Sequence, residues 1–182
     1  MEGFCRRIWG KWGVDKVSTI GTGLFLVRFE SKLNRDQALQ GHFFFDKKPV
    51  VMKPWTPDDV DLTKEEVRNV PVWIRFPKLD LKYWGEKTLF KLAGIVSMVG
   101  TPVKLDQATF NEERLMYAKV LVKIKLGQSV PSSITFVNEV GCEKVQQVEA
   151  EWMPSFCGKC KGYGHLEVVY KRKEVWVRRR RW

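Results

Sequence analysis

Histidine is scarce in this chain of 182 residues, which has only His42 and His165. So few imidazoles leave little material for a general acid or base that works near neutral pH. The sequence also contains no Gly-x-x-x-x-Gly-Lys-Ser/Thr phosphate loop and no nucleophile elbow. We therefore expect a protein that is not an enzyme and that has no small-molecule substrate.

Long apolar runs and a full set of cysteines are missing as well. No stretch approaches the roughly 20 residues that span a bilayer, and the opening MEGFCRRIWGKWG lacks the apolar segment of a signal peptide. Four cysteines in a chain of this length do not make a disulfide framework, and they suit a reducing compartment. We expect a soluble, intracellular protein without a membrane partner.

Positive charge, by contrast, is in excess, with a net charge of +11. The last 26 residues, 157–182, carry +7 of it, because nine Lys and Arg residues stand against Glu167 and Glu174. An acidic partner such as nucleic acid would meet this end first. The basic run is also typical of a nuclear import signal, which favours the nucleus over the cytoplasm.

Residues 1–55 have the pattern of a small α+β module. Phe4, Ile8 and Trp12 recur at helical spacing up to Gly13. Two strand-like runs, VDKVSTI and GLFLVRFES, follow on either side of a Gly-Thr-Gly hairpin signal. A short helix, LNRDQALQG, precedes strands around an Asp-Lys-Lys-Pro turn. The predicted order is helix, strand, strand, helix, strand.

A polar, acidic stretch at 56–70 is predicted to be a linker, and a second small α+β module follows at 71–154. VPVWIRF predicts a strand, Asp80 is placed to cap a helix that Gly100 ends, and TPVKLD predicts a short strand. A last hairpin is predicted from SITFVNEV and KVQQVEAEW. The residues expected in the core include Trp73, Trp84, Phe90 and Leu92.

Regular alternation in YAKVLVKIKL predicts a half-buried strand. Its apolar face begins at Ala118, whereas Lys119, Lys123 and Lys125 share the other face. These lysines are either ordinary solvent-side residues or a surface that tracks phosphates.

Residues 155–170 have the spacing of a zinc knuckle as far as the third ligand: Cys157, two residues, Cys160, four residues and His165. Tyr170 stands where the fourth ligand belongs. A tyrosine must lose its proton to bind zinc, which costs about 4 kcal/mol at neutral pH against about 2 kcal/mol for a thiol. We predict a degenerate zinc knuckle that binds one zinc ion weakly or not at all.

Residues 171–182 form a basic tail that we expect to be disordered. Disorder is compatible with binding, because each cation that neutralises a phosphate releases counterions. Aromatic rings in the knuckle and the tail offer faces on which bases stack. The predicted nucleic-acid-binding residues are Lys159, Lys161, Tyr163, Lys171, Arg172, Lys173, Trp176, Arg178, Arg179, Arg180 and Arg181.

Three sequence blocks, taken together, resemble a plant family. They are PVWIRFPKLDLKYWGEKTLFKLAGIVSMVGTPVKLDQATF, YAKVLVKIKL and EWMPSFCGKCKGYGH. The family is a domain of unknown function that precedes a Cys-x2-Cys-x4-His-x4-Cys zinc knuckle in proteins derived from LINE-type and other retroelements. The resemblance implies an RRM-like α+β domain, a following module and a knuckle, with nucleic-acid and zinc binding.

Two departures from the resemblance affect the first module. An RRM-like or ferredoxin-like fold opens with a strand, whereas this sequence opens inside the first helix, so the module is predicted to lack its first strand. Where RRM aromatics stack bases, the sequence has Leu24 and Leu26, which offer no π-face. We expect another part of the chain or a protein partner to cover this Leu24/Leu26 face.

The leading hypothesis is a non-catalytic nucleic-acid-binding protein of retroelement origin. It favours single-stranded RNA or DNA with low sequence specificity, through the knuckle remnant and the basic tail. One alternative is a protein-interaction or assembly module that acts through the Leu24/Leu26 face. Another is a degenerate fragment without selected function, which the absent first strand and the lost cysteine favour.

Overall fold

A computed structural model describes residues 1–21, 23–56, 69–96, 101–155, 157 and 159. The chain divides into two units, Met1–Glu66 (unit 1) and Val67–Trp182 (unit 2), and each is described by itself. Both units mix short helices with small antiparallel sheets, so the predicted α+β class is confirmed. Across the described ranges, no helix is long and apolar enough to cross a membrane.

Unit 1 begins with helix α1, Glu2–Trp9, which continues as a 3₁₀ turn, Gly10–Trp12. Gly13 ends this turn at φ 64°, a left-handed conformation that side chains disfavour. Strands β1, Val14–Gly21, and β2, Leu24–Phe29, then form an antiparallel hairpin. The carbonyl of Gly13 accepts a hydrogen bond from the N–H of Glu30 at 2.9 Å, which joins the two open ends of the hairpin.

The rest of unit 1 is a second helix and a second hairpin. Helix α2, Lys32–Leu39, is capped by the Ser31 hydroxyl, which accepts from the N–H of Asn34 at 3.1 Å. Strands β3, Phe43–Phe45, and β4, Lys48–Val50, pair as a two-stranded sheet separate from β1 and β2. The predicted element order is confirmed, and its last element is a hairpin of two short strands.

Trp9 is central to the core of unit 1. Its ring lies 6.4 Å from that of Phe29 on β2 and 5.4 Å from that of Phe43 on β3, between ring centroids. Phe4 contacts Trp9 at 6.1 Å and Phe45 at 5.1 Å in the same way. Both hairpins therefore pack on α1 through aromatic pairs. The indole N–H of Trp9 is buried and has no hydrogen-bond partner among the described residues.

The main sheet of unit 2 contains β5 (Asn69–Pro77), β6 (Thr101–Leu105), β7 (Tyr117–Lys125) and β10 (Glu149–Ala150). The order is β10-β5-β7-β6, and each neighbouring pair is antiparallel. A separate hairpin comprises β8, Ser133–Val137, and β9, Glu143–Gln147. Asn69 and Val70, which the sequence prediction placed in the linker, belong to β5.

One face of the main sheet packs against helix α3, Glu86–Val96. The helix buries Leu89, Leu92, Ala93 and Val96, which recur at helical spacing. The sheet contributes alternate residues of its two central strands, namely Val70, Val72, Ile74, Phe76, Ala118, Val120, Val122 and Ile124. The predicted alternation of β7 is therefore confirmed, and its apolar face forms the core of unit 2.

The predicted helix after Asp80 is present, but it begins later than predicted. Leu81–Tyr83 form a 3₁₀ turn, α3 begins only at Glu86, and Asp80 makes no side-chain capping hydrogen bond. Tyr83 and Trp84 are both buried, and the indole N–H of Trp84 donates to the carbonyl of Leu79 at 3.0 Å. Consecutive residues of a regular helix point about 100° apart, so burying both rings favours an irregular turn. The predicted end at Gly100 lies outside the described residues.

Candidate functional site

The face of the unit 2 sheet opposite α3 carries polar and aromatic side chains. Because side chains alternate along a strand, every second residue of β5 and β7 lies on this side. We call it the open face. It comprises Asn69, Pro71, Trp73, Arg75 and Pro77 of β5, Tyr117, Lys119, Leu121, Lys123 and Lys125 of β7, Thr101 and Lys104 of β6, and Glu149 of β10.

Glu151, which follows β10, lies at one edge of the open face. Its N–H donates to the carbonyl of Trp73 at 2.9 Å. Its carboxylate accepts hydrogen bonds from Nε of Arg75 and from the ammonium of Lys119, each at 2.9 Å, and from Nη2 of Arg75. The Glu151 side chain is 9% exposed, against 19% for Lys119 and 31% for Arg75. One buried carboxylate thus holds two partly buried cations.

The two cations keep the Glu151 carboxylate ionised. Burial raises the pKa of this carboxyl, but the hydrogen bonds and charges of Lys119 and Arg75 together outweigh burial and lower the pKa. Glu151 is therefore negative at neutral pH and neutralises one of the two positive charges beside it.

The aromatic rings of the open face are already in contact with cations. The guanidinium carbons of Arg75 and Arg114 lie 4.6 and 4.1 Å from the centre of the Tyr117 ring. The ammonium of Lys119 lies 4.7 Å from the centre of the Trp73 ring. These are cation–π distances. Each of the two rings therefore already has a cation over at least one of its faces.

Lys104, Lys123 and Lys125 are the exposed cations of the open face, and we call them the lysine row. In the described part of the chain no ion pair involves any of them. A bulge at Val103, between the pairs of Pro102 and Lys104 with β7, brings Lys104 onto this face. The three lysines predicted together on β7 therefore differ, because Lys119 is ion-paired whereas Lys123 and Lys125 are not.

The predicted zinc ligands lie mostly beyond the described ranges. Cys157 is fully buried, while Cys160, His165 and the substituted position Tyr170 are not described. The described residues hold no group of three or more His, Cys, Asp or Glu side chains that would bind a metal ion. The zinc site stays a prediction from sequence.

The predicted nucleic-acid-binding residues are also mostly outside the described ranges. Lys159 is described and is exposed. The others are not described: Lys161, Tyr163, Lys171, Arg172, Lys173, Trp176 and Arg178 to Arg181.

The Leu24/Leu26 face of unit 1 is neither fully buried nor fully exposed. Both leucines are half-buried, whereas Val27 and Phe29 of the same strand pack against the core. Ile20, near the tip of the β1–β2 hairpin, is half-exposed. The aliphatic end of this hairpin is thus partly accessible.

Sequence reasoning missed the polar cluster around Glu151. Trp73, expected in the core, is only half-buried and lies on the open face, although Trp84 and Leu92 are buried and Phe90 packs against the core. The available signal was alternation in PVWIRF, which puts Trp73 and Arg75 on one face. The cluster also depends on the pairing of β5 with β7, which brings Lys119 opposite Arg75 and which the sequence pattern does not reveal.

Comparison with known families gave a match within unit 1. Residues 1–61, about a third of the chain, match a family described as a domain of unknown function (DUF4283). The comparisons with curated proteins and with solved structures gave no match. A match to a domain of unknown function is therefore shown for residues 1–61, whereas the three sequence blocks that carried the resemblance lie outside that range.

Proposed function

We propose that this chain is a non-catalytic nucleic-acid-binding protein that favours single-stranded RNA or DNA with low sequence specificity. The main observation in support is the charge distribution: residues 157–182 carry +7 of the net charge of +11. Cations that neutralise phosphates release condensed counterions, which gives affinity without base readout. The seven basic residues that supply most of it are Lys171, Arg172, Lys173, Arg178, Arg179, Arg180 and Arg181.

The knuckle remnant adds a second contribution to this proposal. Lys159 and Lys161 lie between its cysteines and glycines, and Tyr163 offers a ring for base stacking. Zinc, if bound, is held by Cys157, Cys160 and His165, with the fourth thiolate missing. Affinity for nucleic acid then depends little on the metal, because the basic tail needs none.

We further propose that the first module is RRM-like and of retroelement origin, and that the protein acts in the nucleus. The order helix, strand, strand, helix in unit 1 supports the RRM-like part of this proposal. The retroelement origin rests on the sequence resemblance, and the nucleus rests on the basic run of residues 171–181. Since Leu24 and Leu26 replace the stacking aromatics, we assign nucleic-acid binding elsewhere in the chain.

The test measures binding of fluorescein-labelled U20 RNA and dT20 DNA by anisotropy at 50–400 mM salt. In the tail variant, the seven basic residues of 171–181 are replaced by Gln. We expect affinity to fall steeply with salt and the slope to become shallower by up to about 5 in the tail variant, because each single-strand phosphate contact contributes about 0.7.

The matched control replaces seven exposed lysines outside the tail and outside the open face: Lys11, Lys16, Lys32, Lys48, Lys87, Lys91 and Lys144. It has the same net charge as the tail variant. A salt-independent affinity, or equal losses in the tail variant and the control, would contradict the proposal.

A second candidate function is assembly of the chain with itself through the hairpin end at Ile20, Leu24 and Leu26. The partial exposure of these three aliphatic side chains favours it. Light scattering during size exclusion tests it. A dimer that Leu24→Lys dissociates would support assembly, and a monomer at 100 μM would exclude it.

A further inference from the structure

We propose that the lysine row is a second binding site, which takes the phosphate backbone of a single-stranded nucleic acid. This inference rests on the proposed function and extends it. The proposed function uses the basic tail, whereas the second site lies on a folded sheet of unit 2.

The first argument is uncompensated charge. The neighbours across the strands are neutral, because Lys123 lies between Pro71 and Thr101, and Lys125 lies opposite Asn69. All three lysines are exposed, and none forms an ion pair in the described ranges. Among the described residues, the carboxylates on this face are those of Glu149 and Glu151 at the β10 edge, and Arg75 and Lys119 already engage Glu151. The row is therefore available to an external anion.

The second argument is spacing. Lys123 and Lys125 are two residues apart on β7, which separates them by about 6.8 Å. Lys104 pairs with Leu121, so it is diagonal to Lys123 at about 7–8 Å. Successive phosphates of an extended single strand have a comparable spacing, so three adjacent phosphates can each meet one ammonium.

The third argument is repulsion within the row. Like charges on neighbouring strands destabilise a sheet, and among the described residues no carboxylate forms an ion pair with these lysines. Binding of a polyanion removes this repulsion. The edge at β10 differs, because Glu149 and Glu151 bring negative charge there. A bound strand is therefore directed to the β6 side of the open face.

The same face favours a nucleic acid over an anionic membrane. Insertion into a bilayer needs exposed apolar side chains beside the cations. Leu121, the apolar residue beside Lys104 and Lys123, is fully buried. Cations already lie over Trp73 and Tyr117, and the row itself consists of ammonium groups, so we expect contact chiefly through phosphates with little dependence on base sequence.

The test replaces the row in the full chain as Lys104→Gln, Lys123→Gln and Lys125→Gln. The matched control is Lys87→Gln, Lys91→Gln and Lys144→Gln, which removes three exposed lysines of unit 2 that are not on the open face. Circular dichroism confirms that both variants fold. The probes are labelled U20 and dT20, and vesicles that contain 30% phosphatidylserine.

We expect the row variant to bind U20 and dT20 about 10- to 100-fold more weakly at 0.1 M salt, with a salt slope shallower by about 2. The control should change affinity less than threefold. An unchanged slope in the row variant overturns the inference. So does a loss of vesicle binding without a loss of oligonucleotide binding.

The tail variant separates the two proposals. If it abolishes binding and the row variant binds like the control, the second site is wrong and the proposed function stands. If the row variant loses binding and the tail variant does not, the second site stands and the role given to the tail is wrong. If the unaltered chain binds neither oligonucleotide, both are wrong.

Discussion

The carboxylate of Glu151 lies 2.9 Å from the ammonium of Lys119, although the two residues are not on neighbouring strands. Lys119 lies on β7 and Glu151 follows β10, and the two strands are separated by β5. The pair, with Arg75 between them, fixes the edge strand β10 onto the centre of the sheet. We therefore expect this ion pair to contribute to the free energy of unfolding of unit 2 and to make that free energy depend on pH.

Glu151→Gln is expected to lower the free energy of unfolding by about 1–3 kcal/mol. The substitution leaves Lys119 and Arg75 without their shared carboxylate, and partial exposure of both cations keeps the cost below that of a fully buried pair. Urea unfolding followed by circular dichroism measures it. Glu143→Gln, at an exposed position of β9 outside this cluster, is the control and should cost less than about 0.5 kcal/mol. Equal losses in the two variants would show that the cluster contributes nothing specific.

The advantage of the native chain over Glu151→Gln should shrink as pH falls. The folded state lowers the pKa of Glu151, so its stabilisation is complete above the unfolded pKa and is lost as pH drops through the folded pKa. Unfolding in urea at pH 7, 5 and 3 gives the difference between the two proteins. A difference that is the same at pH 7 and pH 3 would refute the ion-pair explanation.

The parts of this cluster were visible in the sequence, but their meeting was not. Alternation on β7 is a local pattern, so its two faces were predicted correctly. Arg75 and Glu151 are 76 positions apart, and only the pairing of β10 with β5 joins them. At Asp80 a local pattern gave a wrong prediction. The residue type suits a helix cap, but burial of both Tyr83 and Trp84 favours an irregular turn there.

Gly13→Ala should destabilise unit 1 by about 1–2 kcal/mol. Gly13 has φ 64°, and an added Cβ would approach Oε2 of Glu30 to 2.5 Å. Gly3→Ala in α1 is the control, because a Cβ there meets nothing within 4 Å and alanine favours helix. Thermal unfolding should lower the midpoint for the first variant and keep or raise it for the second. A raised midpoint in Gly13→Ala would contradict the assigned backbone conformation.

Trp9→Ala is expected to cost about 3–5 kcal/mol, because it removes the ring that both hairpins contact. Trp9→Phe should cost less than about 2 kcal/mol. It keeps much of the packing and removes a buried indole N–H that has no partner among the described residues. Urea unfolding of both variants tests the order. A larger loss in Trp9→Phe than in Trp9→Ala would overturn this view of the core.

Tyr170→Cys should raise bound zinc to one ion per chain, because it restores the fourth thiolate of the knuckle spacing. Zinc content of the purified protein, measured by mass spectrometry, is expected to be well below one ion per chain without the substitution. Tyr163→Cys, which is off the ligand spacing, is the control. One ion per chain in the unaltered protein would show that Tyr170 does not impair the site.

The hydrogen bond from the Glu151 N–H to the Trp73 carbonyl affects how the lysine row and the basic tail would bind the same nucleic acid. It attaches the chain to the sheet at Glu151, and Lys171 follows 20 residues later. Even a fully extended segment of that length reaches only about 70 Å. If a single strand is bound at the lysine row, binding of the tail to the same strand is intramolecular, at an effective concentration set by the length of the connecting segment.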